Sequence, residues 1–235
     1  MVNFGTLTVL VGTNASGKSN LKDALRFLHG IGLGYHFSEI LGGKSSPSSV
    51  LEWRGIRGGS GEIAYDDSAA FEIRCDIVPS SMTHRTYSFL GYALTVDVSD
   101  RRFGPRVVRE SLSTQNTCLW DSHAFGDPPI QKGQHQIRIR HWSGGSHRRH
   151  GKVSECSSFL PAVAQLAFDS EASVTARRAC AAVLEELEGI RFLDLDPDAM
   201  REPAQLGQSV LGDKGENLSS VLHGICKVEQ LKEAS

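Results

Sequence analysis

Eight residues near the N-terminus, Gly12-Thr13-Asn14-Ala15-Ser16-Gly17-Lys18-Ser19, satisfy the pattern G-x-x-x-x-G-K-[ST] at every fixed position. An apolar run, Leu7-Thr8-Val9-Leu10-Val11, precedes them. Leu21, Ala24, Leu25 and Leu28 follow at i, i+3, i+4, i+7, with Gly30 placed to end the helix they imply. Residues 1–30 therefore read as strand, tight loop, helix. The chemistry of such a loop is specific. Gly12 and Gly17 let the backbone turn and approach a ligand without a Cβ in the way. Backbone N–H groups of Gly12, Thr13, Asn14, Ala15, Ser16, Gly17, Lys18 and Ser19 can wrap an anion, aided by the positive end of the helix dipole. Lys18 can reach the β- and γ-phosphates of a nucleotide, and the Ser19 hydroxyl can ligate Mg²⁺.

The rest of the composition narrows the class. The chain has 235 residues, 40% apolar and 22% charged, with a net charge of −2. That is ordinary for a globular protein and gives no global drive toward nucleic acid or anionic lipid. No run of 18 apolar residues is present, so no membrane span is expected, and the N-terminus has no leader pattern. Five widely spaced cysteines (Cys75, Cys118, Cys156, Cys180, Cys226) form neither a disulfide framework nor a zinc spacing. They read as reduced thiols of a cytoplasmic protein.

Beyond Gly30 the pattern changes twice. Residues 31–61 are rich in Gly and Ser and read as loops around short elements, with Val50–Trp53 a candidate strand. From about 62 to 142 the period is two, as in Phe71/Ile73/Cys75/Ile77, Tyr92/Leu94/Val96/Val98 and Ile137/Ile139/His141, with Arg106–Leu112 an extra strand. This predicts half-buried antiparallel strands. Residues 143–157 read as a polar loop. From about 155 to 235 the chain is mainly helical: Phe159–Phe168 is apolar, Val174–Leu187 is helix-favouring and stops at Gly189, and Arg191–Pro197 is a short strand. Asn217 is placed to cap a final helix carrying Leu218, Val221, Leu222 and Ile225.

Asn14, Gly17, Lys18, Ser19, Asn20 and Leu21, followed by Ala24 and Leu25, resemble the Walker A loop and first helix of the RecF/SMC/OLD-like ATPases, the ABC-type heads of DNA-maintenance and related proteins. The β-rich stretch after the first helix resembles the β-subdomain of such heads, and Arg191–Pro203 with Leu211–Leu218 resembles the later part of their first lobe. The resemblance implies an α/β fold: a P-loop NTPase lobe with an antiparallel β insertion and a helical C-terminal part. It implies ATP and Mg²⁺ as ligands, Gly12–Asn20 as the binding loop, Lys18 as the catalytic residue and Ser19 as the metal ligand. The family's signature turn and its Walker B, four apolar residues then Asp-Glu, have no counterpart here. Ala93-Leu94-Thr95-Val96-Asp97 places Val98 where the glutamate belongs, and its alternation reads as an ordinary strand. The expectation is thus an ATP-binding lobe, slow or inactive in hydrolysis alone, from DNA maintenance, repair or phage defence. A homodimer, or a second lobe or chain, would supply Walker B and the signature, and the chain would be a truncated or split gene product.

Other residues carry weaker readings. Arg138, Arg140, Arg148, Arg149 and Lys152 form the most concentrated basic stretch and are candidates for DNA phosphates, against the plainer reading of a solvated loop. Gln205 and Gln208 are candidates for the γ-phosphate-sensing glutamine that the resemblance implies, or surface polars. Trp53 and Phe4 could stack on adenine, with core packing the simpler expectation for both. Cys118 near His123 reads as coincidence. Two alternatives stay open: a complete small P-loop kinase or NTPase using Asp97, and a module that binds nucleic acid or a partner and keeps a vestigial P-loop.

Overall fold

The structure, a computed structural model, describes residues 2–14, 16–64, 68–80, 87–100, 102, 104–115, 117–122, 136–140, 146–150, 156–165 and 171–233. Side chains at 136–140, 146–150, 171–173 and 228–233 are outside that set. Ala15, His123 and residues 143–145 and 151–155, Lys152 among them, also lie outside the described residues. The chain divides into two compact units, Met1–Gly189 and Ile190–Ser235.

The first unit is α/β. Helix α1 (Lys18–Gly32) follows the glycine loop, then α2 (Phe37–Gly42), a short hairpin of β1 (Lys44–Ser45) and β2 (Leu51–Trp53), and the one-turn α3 (Gly59–Glu62). Next comes an antiparallel sheet in sequential order: β3 (Ala70–Ile77), β4 (Leu90–Asp97), β5 (Arg106–Ser113), β6 (Cys118–Asp121), β7 (Gln136–Arg140) and β8 (Ser146–His150). Helices α4 (Leu160–Gln165) and α5 (Glu171–Glu188) complete the unit. Among the described residues no helix is long and apolar enough to cross a membrane.

The period-two pattern puts one face of the sheet inward. Leu90, Tyr92, Leu94 and Val96 are buried while Gly91, Ala93 and Thr95 between them are half-buried. Strand β5 breaks the alternation at Val107-Val108. Thr95 pairs with Arg109 but Val96 pairs with Val107, so Val108 is the extra residue of a bulge and is exposed. The bulge returns Glu110 and Leu112 to the inner face. Helix α5 meets that face with Ala176, Ala179, Cys180, Val183 and Leu187, a helical stripe, and α4 adds Leu160 and Val163. Trp120 on β6 donates its indole N–H to Cys180 Sγ at 3.0 Å.

Three expectations need correcting. Residues 146–150, expected as part of a polar loop, form β8, the strand next to β7. An edge strand paired on one side needs no apolar face, so period-two hydrophobicity does not mark it. Leu7–Val11, expected as a strand, has no ladder partner among the described residues, and Leu7, Val9 and Val11 are 84%, 73% and 90% exposed. The stretch has strand composition, and a strand is defined by its neighbours. Gly30 does not end α1 either. The helix runs on to Gly32, and Gly34 (φ +73°) closes it with its N–H on the Ile31 carbonyl. Gly30 is there for space: a Cβ would come 2.7 Å from Ile40 Cγ1.

In the second unit Asp194 N–H and Asp196 N–H donate to the carbonyls of Asp213 and Lys214, at 2.8 and 2.9 Å. A 3₁₀ turn (Ala199–Arg201) follows, and α6 (Leu218–Glu233) ends the unit. Asn217 does precede α6, but its side chain turns back: Oδ1 accepts from Gly212 N–H at 2.7 Å and Nδ2 donates to the Val210 carbonyl at 2.8 Å. It ties down the incoming loop rather than the helix donors.

Glu110 is a fully buried carboxyl inside the first unit. Glu110 accepts from Tyr92 Oη at 2.7 Å, Ser158 Oγ at 2.6 Å and Phe159 N–H at 2.6 Å. It joins β5 to the start of α4, where Ser158 Oγ also accepts from Leu160 N–H at 3.1 Å. Burial lifts the Glu110 carboxyl from its usual 4.5 to about 7, although these donors pull the other way. A raised carboxyl favours the fold fully below pH 4.5, and that contribution is lost as the pH rises to about 7. Relative to Glu110→Gln, the protein should lose on the order of 3 kcal/mol of unfolding free energy across that window. Chemical denaturation of both proteins at a series of pH values checks this, and parallel profiles would refute it.

Candidate phosphate-binding site

The glycine loop adopts the geometry its sequence requires. Gly17 is the N-cap of α1 with φ +87° and ψ 0°, a left-handed conformation that side-chain-bearing residues adopt at a cost. Ser16 N–H donates to the Thr13 carbonyl at 3.3 Å, and Leu21 N–H to the Gly17 carbonyl at 3.1 Å. At Gly12 a Cβ would lie 2.6 Å from Ser16 Oγ, so the loop closes around a residue with no side chain. Helix α1 has no acidic residue in its first turn, which leaves the positive end of its dipole uncompensated.

Lys18 sits over this loop. Its Nζ donates to the Gly12 and Thr13 carbonyls, both at 2.6 Å, and to Ser16 Oγ at 3.2 Å. The ammonium thus binds the loop's own carbonyls from within reach of the space the loop encloses. Thr13, Asn14, Ser16, Ser19 and Asn20 are exposed around it. The structure therefore brings together the described members of the expected loop on one helix start.

The helix is anchored at its other end. Phe27 stacks on Phe37 (5.6 Å, 20°) and meets Phe71 edge-on (5.2 Å, 89°). His29 Nδ1 lies 2.9 Å from the Leu187 carbonyl at the end of α5. At Gly32 a Cβ would collide with the backbone of Leu187 and Glu188, so the two helices approach at a spacing only glycine allows.

The other candidates divide. Trp53 is a core residue: its indole N–H donates to the Ile40 carbonyl at 3.0 Å, and its ring packs against His29 and Tyr35. Phe4 is exposed. Asp97 ends β4, where its Oδ1 accepts from Ser99 N–H and Oγ at 2.8 and 2.7 Å, and Arg106 lies 3.4 Å from Oδ2. The Ser99 hydrogen bonds hold its carboxyl below the usual range. It is a strand-end residue, as its alternation implies. Gln205 and Gln208 are exposed in the second unit. Among the described residues no group of three His, Cys, Asp or Glu is arranged to hold a metal. The β7–β8 ladder pairs Arg138 with Arg148, Arg140 with Ser146 and Ile137 with Arg149.

A family model described as "AAA domain, putative AbiEii toxin, Type IV TA system" matches residues 7–81, from the apolar run through β3. The match supports a P-loop NTPase domain here, and such domains bind nucleotide, typically with Mg²⁺. No curated protein and no solved structure matches the chain.

Because Gly17 needs φ +87°, Gly17→Ala should lower the unfolding free energy by about 1 kcal/mol. Gly42→Ala, where a Cβ meets nothing within 4 Å, is the control. Equal stability of the two variants in urea titrations would contradict the strain assigned to Gly17.

Proposed function

We propose that this chain is the ATP·Mg²⁺-binding first lobe of a RecF/SMC/OLD-like ATPase, weak or inactive in hydrolysis by itself. The observation that carries this is the loop: Gly17 in a left-handed cap, a Cβ-free Gly12, and Lys18 Nζ gathered onto the Gly12 and Thr13 carbonyls. The residues fit a polyphosphate. Backbone N–H groups from Thr13 to Ser19 would face it, and Lys18 would exchange loop carbonyls for phosphate oxygens. Ser19, exposed in the first turn of α1, would hold Mg²⁺. A bound Mg²⁺ supplies charge neutralisation at the β- and γ-oxygens.

Weak turnover follows from what surrounds the loop. Hydrolysis needs a group that orients the attacking water. Asp97, the nearest sequence match to such a group, is engaged by Ser99 and Arg106 at the end of an antiparallel strand. The exposed apolar run Leu7–Val11 supports the expectation that a second lobe or chain completes the sheet and supplies the missing motifs. The description of the matching family adds toxin–antitoxin systems to DNA repair and phage defence as settings for such a lobe.

A second reading, contact with nucleic-acid phosphates through Arg138, Arg140, Arg148, Arg149 and Lys152, is favoured by the pairing of Arg138 with Arg148 across the β7–β8 ladder.

The test is equilibrium binding and turnover of ATP by the purified chain and by Lys18→Ala. Mg²⁺-dependent binding that weakens at least about tenfold in Lys18→Ala is expected. Hydrolysis by the wild type should stay far below about one per second, a modest rate for an enzyme. Lys18-dependent turnover near that rate would overturn the assignment, as would ATP binding indifferent to Lys18.

A further inference from the structure

A cleft of about 370 Å³ opens beside α1 in the first unit, between that helix, the α3 segment and β3. Resting on the nucleotide reading above, we propose that it seats a purine base whose phosphates lie in the Gly12–Ser19 loop, and that Asp23 and Glu62 select the base by its N–H donors.

Position is the first argument. The cleft begins at Asn20, the residue after Ser19, and follows one stripe of α1 through Asp23 and Ala24 to Phe27. At the helical rise this stripe is about 10 Å long, the span over which a sugar and base extend from a terminal phosphate group. A ligand anchored at the N-terminus of α1 therefore reaches the cleft without leaving the helix surface.

Shape and chemistry are the second. The volume lies in the range of small-ligand sites, and the lining combines apolar walls with a few polar groups. Phe27 and Phe71, set edge-to-face at 5.2 Å, form part of one end, and Ala24 contributes a wall with little side chain. A flat heteroaromatic ring suits such walls. A pyrimidine would leave more of the space unfilled than a purine.

The rim is the third. Arg57 donates to Asp23 Oδ2 from Nε at 2.9 Å and from Nη2 at 2.7 Å. This fixes the carboxylate, which is largely covered, its side chain 18% exposed. Asp23 Oδ1 has no hydrogen-bond partner among the described residues. Ionised carboxylates only accept, so Asp23 and Glu62 favour a ring that presents amino or ring N–H groups. Asn20 can match either edge.

The experiment is calorimetric titration of the full chain with Mg²⁺ and four probes: ATP, GTP, purine riboside triphosphate (the ring without its exocyclic amine) and inorganic tripolyphosphate. Ala24→Trp fills the cleft from an already half-buried helix position. It should weaken ATP and GTP about tenfold or more and leave tripolyphosphate within about twofold. Asp23→Asn should erase the preference for ATP over purine riboside triphosphate. Thermal midpoints check folding, and Glu62→Gln, on the exposed α3 turn, carries the selectivity test if Ala24→Trp does not fold. If ATP and tripolyphosphate weaken together, or neither changes, while Lys18→Ala still abolishes binding, the cleft assignment is wrong and the loop assignment stands. If no probe binds in a Lys18-dependent manner, both fall.

Discussion

A helix can offer its N-terminus to an anion only if its far end cannot move. In this protein that end is held by the near-contact of α1 with α5 at Gly32, where the backbone of Leu187 and Glu188 occupies the space of a side chain. His29 adds a polar tie to the Leu187 carbonyl, and Phe27 locks into Phe37 and Phe71. Helix α5 is in turn seated on the inner face of the sheet, through small residues such as Ala176 and Ala179. The glycine loop at the start of α1 is thus tied, through α1 and α5, to the core of the β sheet. Interiors packed to this density transmit displacement rather than absorb it.

The loop was legible in the sequence because its requirements are local. Glycine at fixed offsets, a lysine and a hydroxyl describe a conformation spanning eight residues, and Gly17 adopts that conformation here. The strands from Phe71 to Val96 were legible for a similar reason, since burial on one face imposes period two. What stayed hidden depends on distant partners. Ser146–His150 carries no hydrophobic alternation and becomes a strand by pairing with β7. Gly30 resembles a helix stop in one dimension and is a packing glycine in three, because Ile40 lies against it. The cleft beside α1 draws on three segments separated by loops, so no window of sequence contains it.

Glu110 shows the same limit from the other direction. A glutamate within Arg106-Val107-Val108-Arg109-Glu110 reads as one more surface charge, and instead it is completely buried among donors from β4 and the start of α4. Groups that bury a charge this deeply must all arrive together, or the carboxylate is left without compensation. The sheet and the helical layer are therefore coupled by a polar junction as well as by apolar area. The second unit has its own device of this kind in Asn217, which bridges Val210 and Gly212.

The bulge at Val108 has a consequence for how such a chain can change in length. Reading Val107, Arg109, Glu110, Ser111 and Leu112 without Val108 gives an unbroken in–out–in–out–in alternation. The extra residue is looped out where neither face registers it, while Glu110 and Leu112 keep their places against the helices. Loss of the one codon for Val108 would therefore leave the alternation of the strand unchanged. An insertion just before Glu110, past the bulge, would turn the buried carboxyl outward and the half-buried Ser111 into the core.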